Sequence, residues 1–236
     1  MLKIKELNAG YGKFQVLFDI TTYIKKGKIV AIVGPNGSGK STLVKTVMGL
    51  TQVYSGKIFF KDEDITKLTI HLVTRRGISY LPQTENVFGN LTVKENLMLA
   101  SYTMNKDESK ERAEEVLGDF PILSKFMNKK CGLLSGGERQ MIAMAMAMMR
   151  KPEIILFDEP VASLAPKIAT EILNKIQELR NRYGTTVVLI EQAAKRALQL
   201  ADDAILLISG RVAYEGDAKG LLTHAKLGKV YLGIKS

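Results

Sequence analysis

Five apolar positions in a row, Ile29-Val30-Ala31-Ile32-Val33, stop abruptly at Gly34. A short β-branched run with no polar position predicts a strand buried on both faces, as in a parallel sheet. The same pattern recurs over residues 154–157, 186–190 and 204–208, the last followed by a Ser209-Gly210-Arg211 turn and a short strand at Val212-Ala213-Tyr214. Residues 1–7 instead alternate polar and apolar, which predicts a strand buried on one face. Helical periodicity over residues 41–50, 166–182 and 193–201 is interleaved with these strands. Strands alternating with helices predict an α/β fold whose sheet is mainly parallel and covered by helices. The stretch from about residue 92 to 150 breaks the alternation. It holds helical patterns over 93–104 and 106–118, another helix after Ser135, and no convincing strand, so an inserted helical region is expected. Its run Met141-Ile142-Ala143-Met144-Ala145-Met146-Ala147-Met148-Met149 could suggest a metal-binding or membrane-facing surface. The buried face of a helix is the better reading, because Met and Ala form helices readily and Met fills irregular gaps.

With 236 residues and 46% apolar composition, the chain suffices for one large α/β domain or a core with a smaller insertion, and is too short for two independent enzymes. Its longest apolar run is the nine residues 141–149, far below the ~20 that span a bilayer. The strand-like start has no leader pattern, so the expected location is the cytoplasm. A lone Cys131 excludes an internal disulfide and fits a reducing compartment. It has no His or Cys at metal-ligand spacing and reads as an ordinary small side chain. The formal net charge is +10, with basic residues scattered rather than grouped in blocks of five or more. A solvated surface accounts for that better than a patch for nucleic acid or anionic lipid. There is no repeat and no low-complexity segment.

Three segments carry chemistry. Gly34-Pro35-Asn36-Gly37-Ser38-Gly39-Lys40-Ser41-Thr42 fits Gly-x4-Gly-Lys-[Ser/Thr], a phosphate-cradling P-loop between a buried strand and a helix. Its glycines let the backbone wrap phosphate oxygens, Lys40 can reach the β- and γ-phosphates, and the Ser41 hydroxyl can ligate Mg²⁺. Asp158-Glu159 closes the apolar run Ile154-Ile155-Leu156-Phe157, and a carboxylate at a strand's C-terminal end points into the ligand crevice of such a sheet. Asp158 can hold Mg²⁺ through water, and Glu159 can orient the attacking water or accept its proton. Leu134-Ser135-Gly136-Gly137-Glu138-Arg139-Gln140 has no role in an ordinary P-loop enzyme. At a helix N-terminus, Ser135 and the Gly136 and Gly137 backbone form a second anion site.

A P-loop, then Gln83, then Leu-Ser-Gly-Gly-Glu, then Ile-Ile-Leu-Phe-Asp-Glu-Pro is the order of the ATP-binding-cassette (ABC) ATPases, which the chain resembles over nearly its whole length. The resemblance implies a P-loop NTPase fold with a mainly parallel core sheet, an N-terminal antiparallel β region and an inserted α-helical subdomain. The implied limits are 1–84 plus 152–236 for the core and 85–151 for the helical part. In such proteins two cassettes face head to tail, and each ATP lies between one P-loop and the other's signature. A second cassette is therefore an implied partner, either a paralogue or another copy. ATP and Mg²⁺ are the implied cofactors. The nucleotide contacts would be Tyr11, Gly34, Asn36, Gly37, Ser38, Gly39, Lys40, Ser41 and Thr42, with Ser135, Gly136, Gly137 and Glu138 serving the facing site. Tyr11 resembles the aromatic that stacks on adenine. Gln83 is similar to the glutamine that senses Mg²⁺ and joins the two subdomains, so the metal set becomes Ser41, Gln83 and Asp158. Residues 86–96 would lie near the docking groove for a membrane subunit.

Two positions depart from the family pattern. The turn after Glu159 reads Ser163-Leu164-Ala165-Pro166, where most members have Asp in place of Ala165. Glu191-Gln192 occupies the place of the histidine that contacts the γ-phosphate, and the two histidines, His71 and His224, lie elsewhere. Gln192 can donate a neutral hydrogen bond to phosphate but cannot carry an imidazolium charge. With Glu159 and Lys40 it completes the expected catalytic set. Both departures, with Val230-Tyr231-Leu232-Gly233, resemble one of the two ATPase subunits of branched-chain amino acid importers. That resemblance implies two transmembrane permeases, an extracytoplasmic binding protein, a peripheral place on the cytoplasmic face of the membrane, and no nucleic-acid partner. Other cargo (urea, amides or lipid) and a weakly hydrolysing regulatory subunit remain open alternatives. A soluble cassette for DNA or the ribosome fits less well, because the chain has neither a long coiled coil between its halves nor a second cassette.

Overall fold

The computed structural model describes residues 1–224, so the 230–233 motif lies outside the described residues. Ten strands and eight α-helices are found among them: β1 (Leu2–Tyr11), β2 (Phe14–Ile24), β3 (Ile29–Val33), α1 (Lys40–Val47), β4 (Gln52–Phe60), β5 (Glu63–Asp64), α2 (Ile70–Arg75), β6 (Ile78–Leu81), α3 (Val93–Ala100), α4 (Lys106–Asp119), α5 (Gly136–Met149), β7 (Ile154–Asp158), α6 (Pro166–Tyr183), β8 (Thr186–Ile190), α7 (Ala194–Leu200), β9 (Asp203–Ile208), β10 (Arg211–Asp217) and α8 (Ala218–Thr223). The strands form two sheets. One has the order β2-β1-β4-β5, and the other the order β10-β9-β3-β8-β7-β6. The first is antiparallel throughout. In the second, β9, β3, β8, β7 and β6 run parallel and β10 joins the edge antiparallel.

Every residue of β3, β7 and β8 is buried, as their unbroken apolar runs require. Because successive side chains alternate faces, each strand feeds two cores. Ala31, Val33, Ile155, Phe157 and Leu189 pack on one face with residues of α3, α5 and α6. Val30, Ile32, Ile154, Leu156 and Val188 pack on the other with α1 and the apolar face of the antiparallel sheet, including Leu2, Ile4 and Leu7. The Met-rich helix α5 is wrapped on most sides: Met144, Met148 and Met149 are buried, and Met141 and Met146 pack partly against the same core.

Two expected helices end early. The one beginning at the P-loop stops at Val47, ahead of the turn at Gly49, rather than at residue 50. The one expected to reach residue 104 stops at Ala100, where the Ser101 hydroxyl bonds Met98 O and Ser109 Oγ and draws the chain into a turn. In residues 92–150 the only strand-like pairing is an isolated bridge between Thr92 and Lys130. Three helices there start with the same device: Thr92 with Glu95, Asn105 with Glu108 and Ser135 with Glu138 each form a capping box.

The helical region meets the core at Asp119, only 7% exposed, which accepts from Arg182 Nη1 at 2.7 Å and from the Tyr183 hydroxyl at 2.5 Å. Removing this carboxylate takes the acceptor from both donors. Asp119→Ala should therefore cost about 1–3 kcal/mol in a chemical denaturation titration, most of it from Tyr183, since Arg182 can turn to water.

Candidate active site

The sheet register decides what gathers here. β3 and β7 both pair with β8, in parallel, so all three strands end on one side. Gly34 follows β3, Asp158 ends β7, and Glu191 follows β8. At Gly34 a Cβ would lie 2.1 Å from the Leu207 carbonyl oxygen, so only glycine lets the loop leave the strand beside β9. The loop and its surroundings enclose a cavity of about 400 Å³ lined by Phe14, Val16, Asn36, Gly37, Ser38, Gly39, Lys40, Ser41, Thr42, Glu159 and Gln192.

Lys40 is 5% exposed and folds back on the loop, its Nζ donating to Gly34 O and Pro35 O at 3.0 Å each. Burial lowers its pKa, and the charges of Glu159 and Asp158 oppose that shift. The Ser41 hydroxyl donates to Asp158 Oδ1 at 2.8 Å. Tyr80 donates to Asp158 Oδ2 at 3.1 Å, and burial with the Asp158 charge pushes the phenol's pKa up, so it stays a donor. Glu159 is held from two sides: Gln83 Nε2 reaches Oε2 at 2.9 Å, and Gln192 Nε2 lies 3.1 Å from both oxygens. Gln83 and Gln192, distant in sequence, thus meet on one carboxylate.

These groups suit a magnesium nucleotide. The Ser38 hydroxyl is buried with no hydrogen-bond partner, and it belongs to the loop whose glycine a Cβ would block. Ser41 and Asp158 offer hard oxygens, the donors Mg²⁺ prefers. No cluster of three His, Cys, Asp or Glu side chains is found among the described residues, so a cation would take its remaining ligands from phosphate and water.

Among the described residues, Gly34, Gln83 and Asp158 adjoin this cavity through their bonds to Lys40, Glu159 and Ser41, whereas Tyr11 and the 135–138 segment make no such bond. Tyr11 is 46% exposed and pairs across a tight hairpin with Phe14, which is 73% exposed and itself lines the cavity mouth. Ser135, Gly136, Gly137 and Glu138 do not line it. The Glu138 carboxylate accepts from both the backbone N–H and the hydroxyl of Ser135 at 2.7 Å, and these bonds lower its pKa. A Cβ at Gly137 would lie 2.5 Å from Ile168 Cγ2, so the glycine lets the start of α5 rest on the start of α6.

Sequence reasoning missed Phe14, Val16, Tyr80 and the role of Glu191. Glu191 is 3% exposed, and its Oε1 accepts from Val161 N at 3.2 Å. Burial first, with the Glu159 charge adding to it, raises its pKa to about 7. An acid placed directly after the apolar run Val187-Val188-Leu189-Ile190 was the available signal.

With a glycine-rich loop between β3 and α1, a capped Ser135-Gly136-Gly137 helix start, two strand-end carboxylates and this sheet order, the molecule is a nucleotide-binding cassette of the P-loop class. The chain belongs to the ABC transporter family, whose model matches residues 17–162. It is 52% identical to the probable branched-chain amino acid transport ATP-binding protein LivF of Archaeoglobus fulgidus, over 99% of each chain. It is 41% identical to the high-affinity branched-chain amino acid transport ATP-binding protein BraG of Pseudomonas aeruginosa, over 99% of this chain and 100% of that one. Among solved structures, the ADP conformation of an ABC transporter cassette superposes with a TM-score of 0.87 at 28% identity, covering 97% of both chains. A dimeric post-hydrolysis cassette bound to ADP and Pi superposes at 0.80 with 29% identity, covering 92% of this chain and 99% of that one. The fold and the ATPase class expected from sequence are thereby shown.

The raised pKa of Glu191 has a sign. The folded protein holds the proton more tightly than the unfolded chain, so the contribution to stability is full below about 4.5 and is lost as pH rises through about 7. Glu191→Gln should remove that loss. Its melting temperature relative to the unaltered protein should rise between pH 5 and pH 8, by the equivalent of at most about 3 kcal/mol.

Proposed function

We propose that this chain is the ATP-hydrolysing subunit of an importer of branched-chain amino acids, working on the cytoplasmic face of the membrane beneath separate permease subunits. The observation that carries the cargo is the near-full-length likeness to relatives named for branched-chain transport, at 52% and 41% identity. No helix among the described residues is long and apolar enough to cross a membrane, which fits a separate permease.

In this reading ATP draws Lys40 off the Gly34 and Pro35 carbonyls and onto its β- and γ-phosphates, while the loop N–H groups and the Ser38 hydroxyl take the remaining phosphate oxygens. Mg²⁺, held by Ser41 and Asp158 with Gln83 beside it, supplies positive charge where negative charge develops. Glu159 orients the attacking water and accepts its proton. Gln192 offers the γ-phosphate an amide N–H that does not titrate. Tyr11 stacks on the adenine, with Phe14 at the cavity mouth. Ser135 and the Gly136 and Gly137 amides, already preformed by the capping box, close over the γ-phosphate of a facing cassette. The cavity of about 210 Å³ beside Asn86, lined also by Ile70, Tyr80, Ala100 and Met146, is where a permease element would dock.

The test is uptake of labelled leucine, isoleucine and valine into vesicles carrying this chain with its permease and partner cassette, with urea and short amides as competing cargo. Uptake should require ATP and should stop with Glu159→Gln. Uptake of urea alone would move the cargo assignment to that class. Separately, Ser135→Arg should leave nucleotide binding by the isolated chain within about twofold, while lowering ATPase activity of the assembled transporter at least about tenfold. Sedimentation with ATP and the Glu159→Gln background should show the closed dimer lost.

A further inference from the structure

The turn that follows Glu159 is tied to the body of the protein at two points. Its internal bonds, Ala162 N to Glu159 O at 3.1 Å and Leu164 N to Val161 O at 3.2 Å, shape it without anchoring it. Glu159 and Ser163 both take positive φ, 51° and 63°, so the turn does not hold itself in an unstrained conformation. Two of its backbone N–H groups reach outside it, and both find acceptors at the end of β8: Glu159 N donates to Ile190 O at 3.0 Å and Val161 N donates to Glu191 Oε1 at 3.2 Å. The next residue, Gln192, then holds the Glu159 carboxylate itself. Farther along the turn, Leu164 Cδ2 packs against Gly136 at the start of α5. Among the described residues, the side chain that holds the turn's backbone beyond Glu159 is Glu191, buried to 97%.

We propose that Glu191 is a positioning residue for ATP hydrolysis, which through Val161 fixes the 159–165 turn and with it the direction of the Glu159 carboxylate. The inference rests on the assignment of Glu159 as the carboxylate that faces the attacking water. A carboxylate accepts from an N–H more strongly than a carboxylic acid does. The groups facing Glu191 are the Val161 and Gln192 backbone N–H groups, the Glu159 carboxylate and Arg196, and its pKa near 7 places the change of acceptor in the neutral range. As pH rises through about 7 the turn is held harder, and kcat rises with it.

The experiment measures steady-state MgATP hydrolysis from pH 5.5 to 8.5 by the assembled transporter carrying this chain, unaltered or with Glu191→Ala, Glu191→Gln or Glu159→Gln. Glu159→Gln sets the baseline left by the partner cassette. Above that baseline, Glu191→Ala should lower kcat at least about tenfold with KM for ATP within about twofold, because the P-loop contacts are untouched. Glu191→Gln keeps an acceptor for Val161 N. It should recover most of the rate at pH 6 and lack the rise in kcat near pH 7. A Glu191→Ala enzyme with unchanged kcat, or with KM raised as much as kcat falls, overturns the inference. So does a Glu191→Gln profile that keeps the inflection, which is the deciding measurement if Glu191→Ala does not fold. If Glu159→Gln itself turns over normally, the reading of Glu159 fails and the fault lies there. If it is inactive while both Glu191 variants behave as the unaltered chain, the positioning inference alone is wrong.

Discussion

Parallel pairing of β3 and β7 to the same central strand β8 is the constraint on which the molecule depends. Parallel strands end together, so three loops distant in sequence are delivered to one edge without any contact between them being needed. The loop after β3 is the P-loop, the residues closing β7 are the two carboxylates, and the residues after β8 are Glu191 and Gln192. Burial of every residue in the three strands forbids a slip of one position, because a slip would exchange the two cores face for face. The chemistry at the edge is therefore as well fixed as the packing beneath it.

The helical region obeys a different rule. Three capping boxes start its helices, Asn96 ties the 88–92 loop to α3, and the Asp119 cluster joins the region to α6. One of those boxes prepares the signature. Glu138 occupies the Ser135 N–H and hydroxyl, and neither residue lines this chain's own phosphate cavity. A solved cassette to which this chain is similar is dimeric and bound to ADP and Pi.

Much of this was legible in the sequence for physical reasons. The unbroken apolar strands and the P-loop are local patterns: adjacent residues carry them, so no tertiary information is lost in reading them. Gln192 was singled out by position, and it does meet Glu159. Interactions across the fold were harder to read. Nothing near Tyr80 in sequence announces that its hydroxyl reaches Asp158, because a strand reveals its face and not its neighbour. Phe14 was hidden because an exposed aromatic in a hairpin is common and only the cavity gives it meaning. Glu191 was seen as half of a pair, but its depth of burial and its hold on Val161 come from α7 and the turn packing over it. The early end of α3 arose from a serine hydroxyl competing with the helix for a carbonyl, a contest that periodicity does not register.

Four side chains set out for the nucleotide and its metal already have protein partners: Lys40 is on two carbonyls, Ser41 on Asp158, and Gln83 and Gln192 on Glu159. For these four side chains nucleotide entry is an exchange of bonds, whereas the loop N–H groups and the Ser38 hydroxyl gain theirs. The protein partners hold each of the four at the site. The site thus keeps its order through its own contacts, which suits an ATPase that must reset after each turnover.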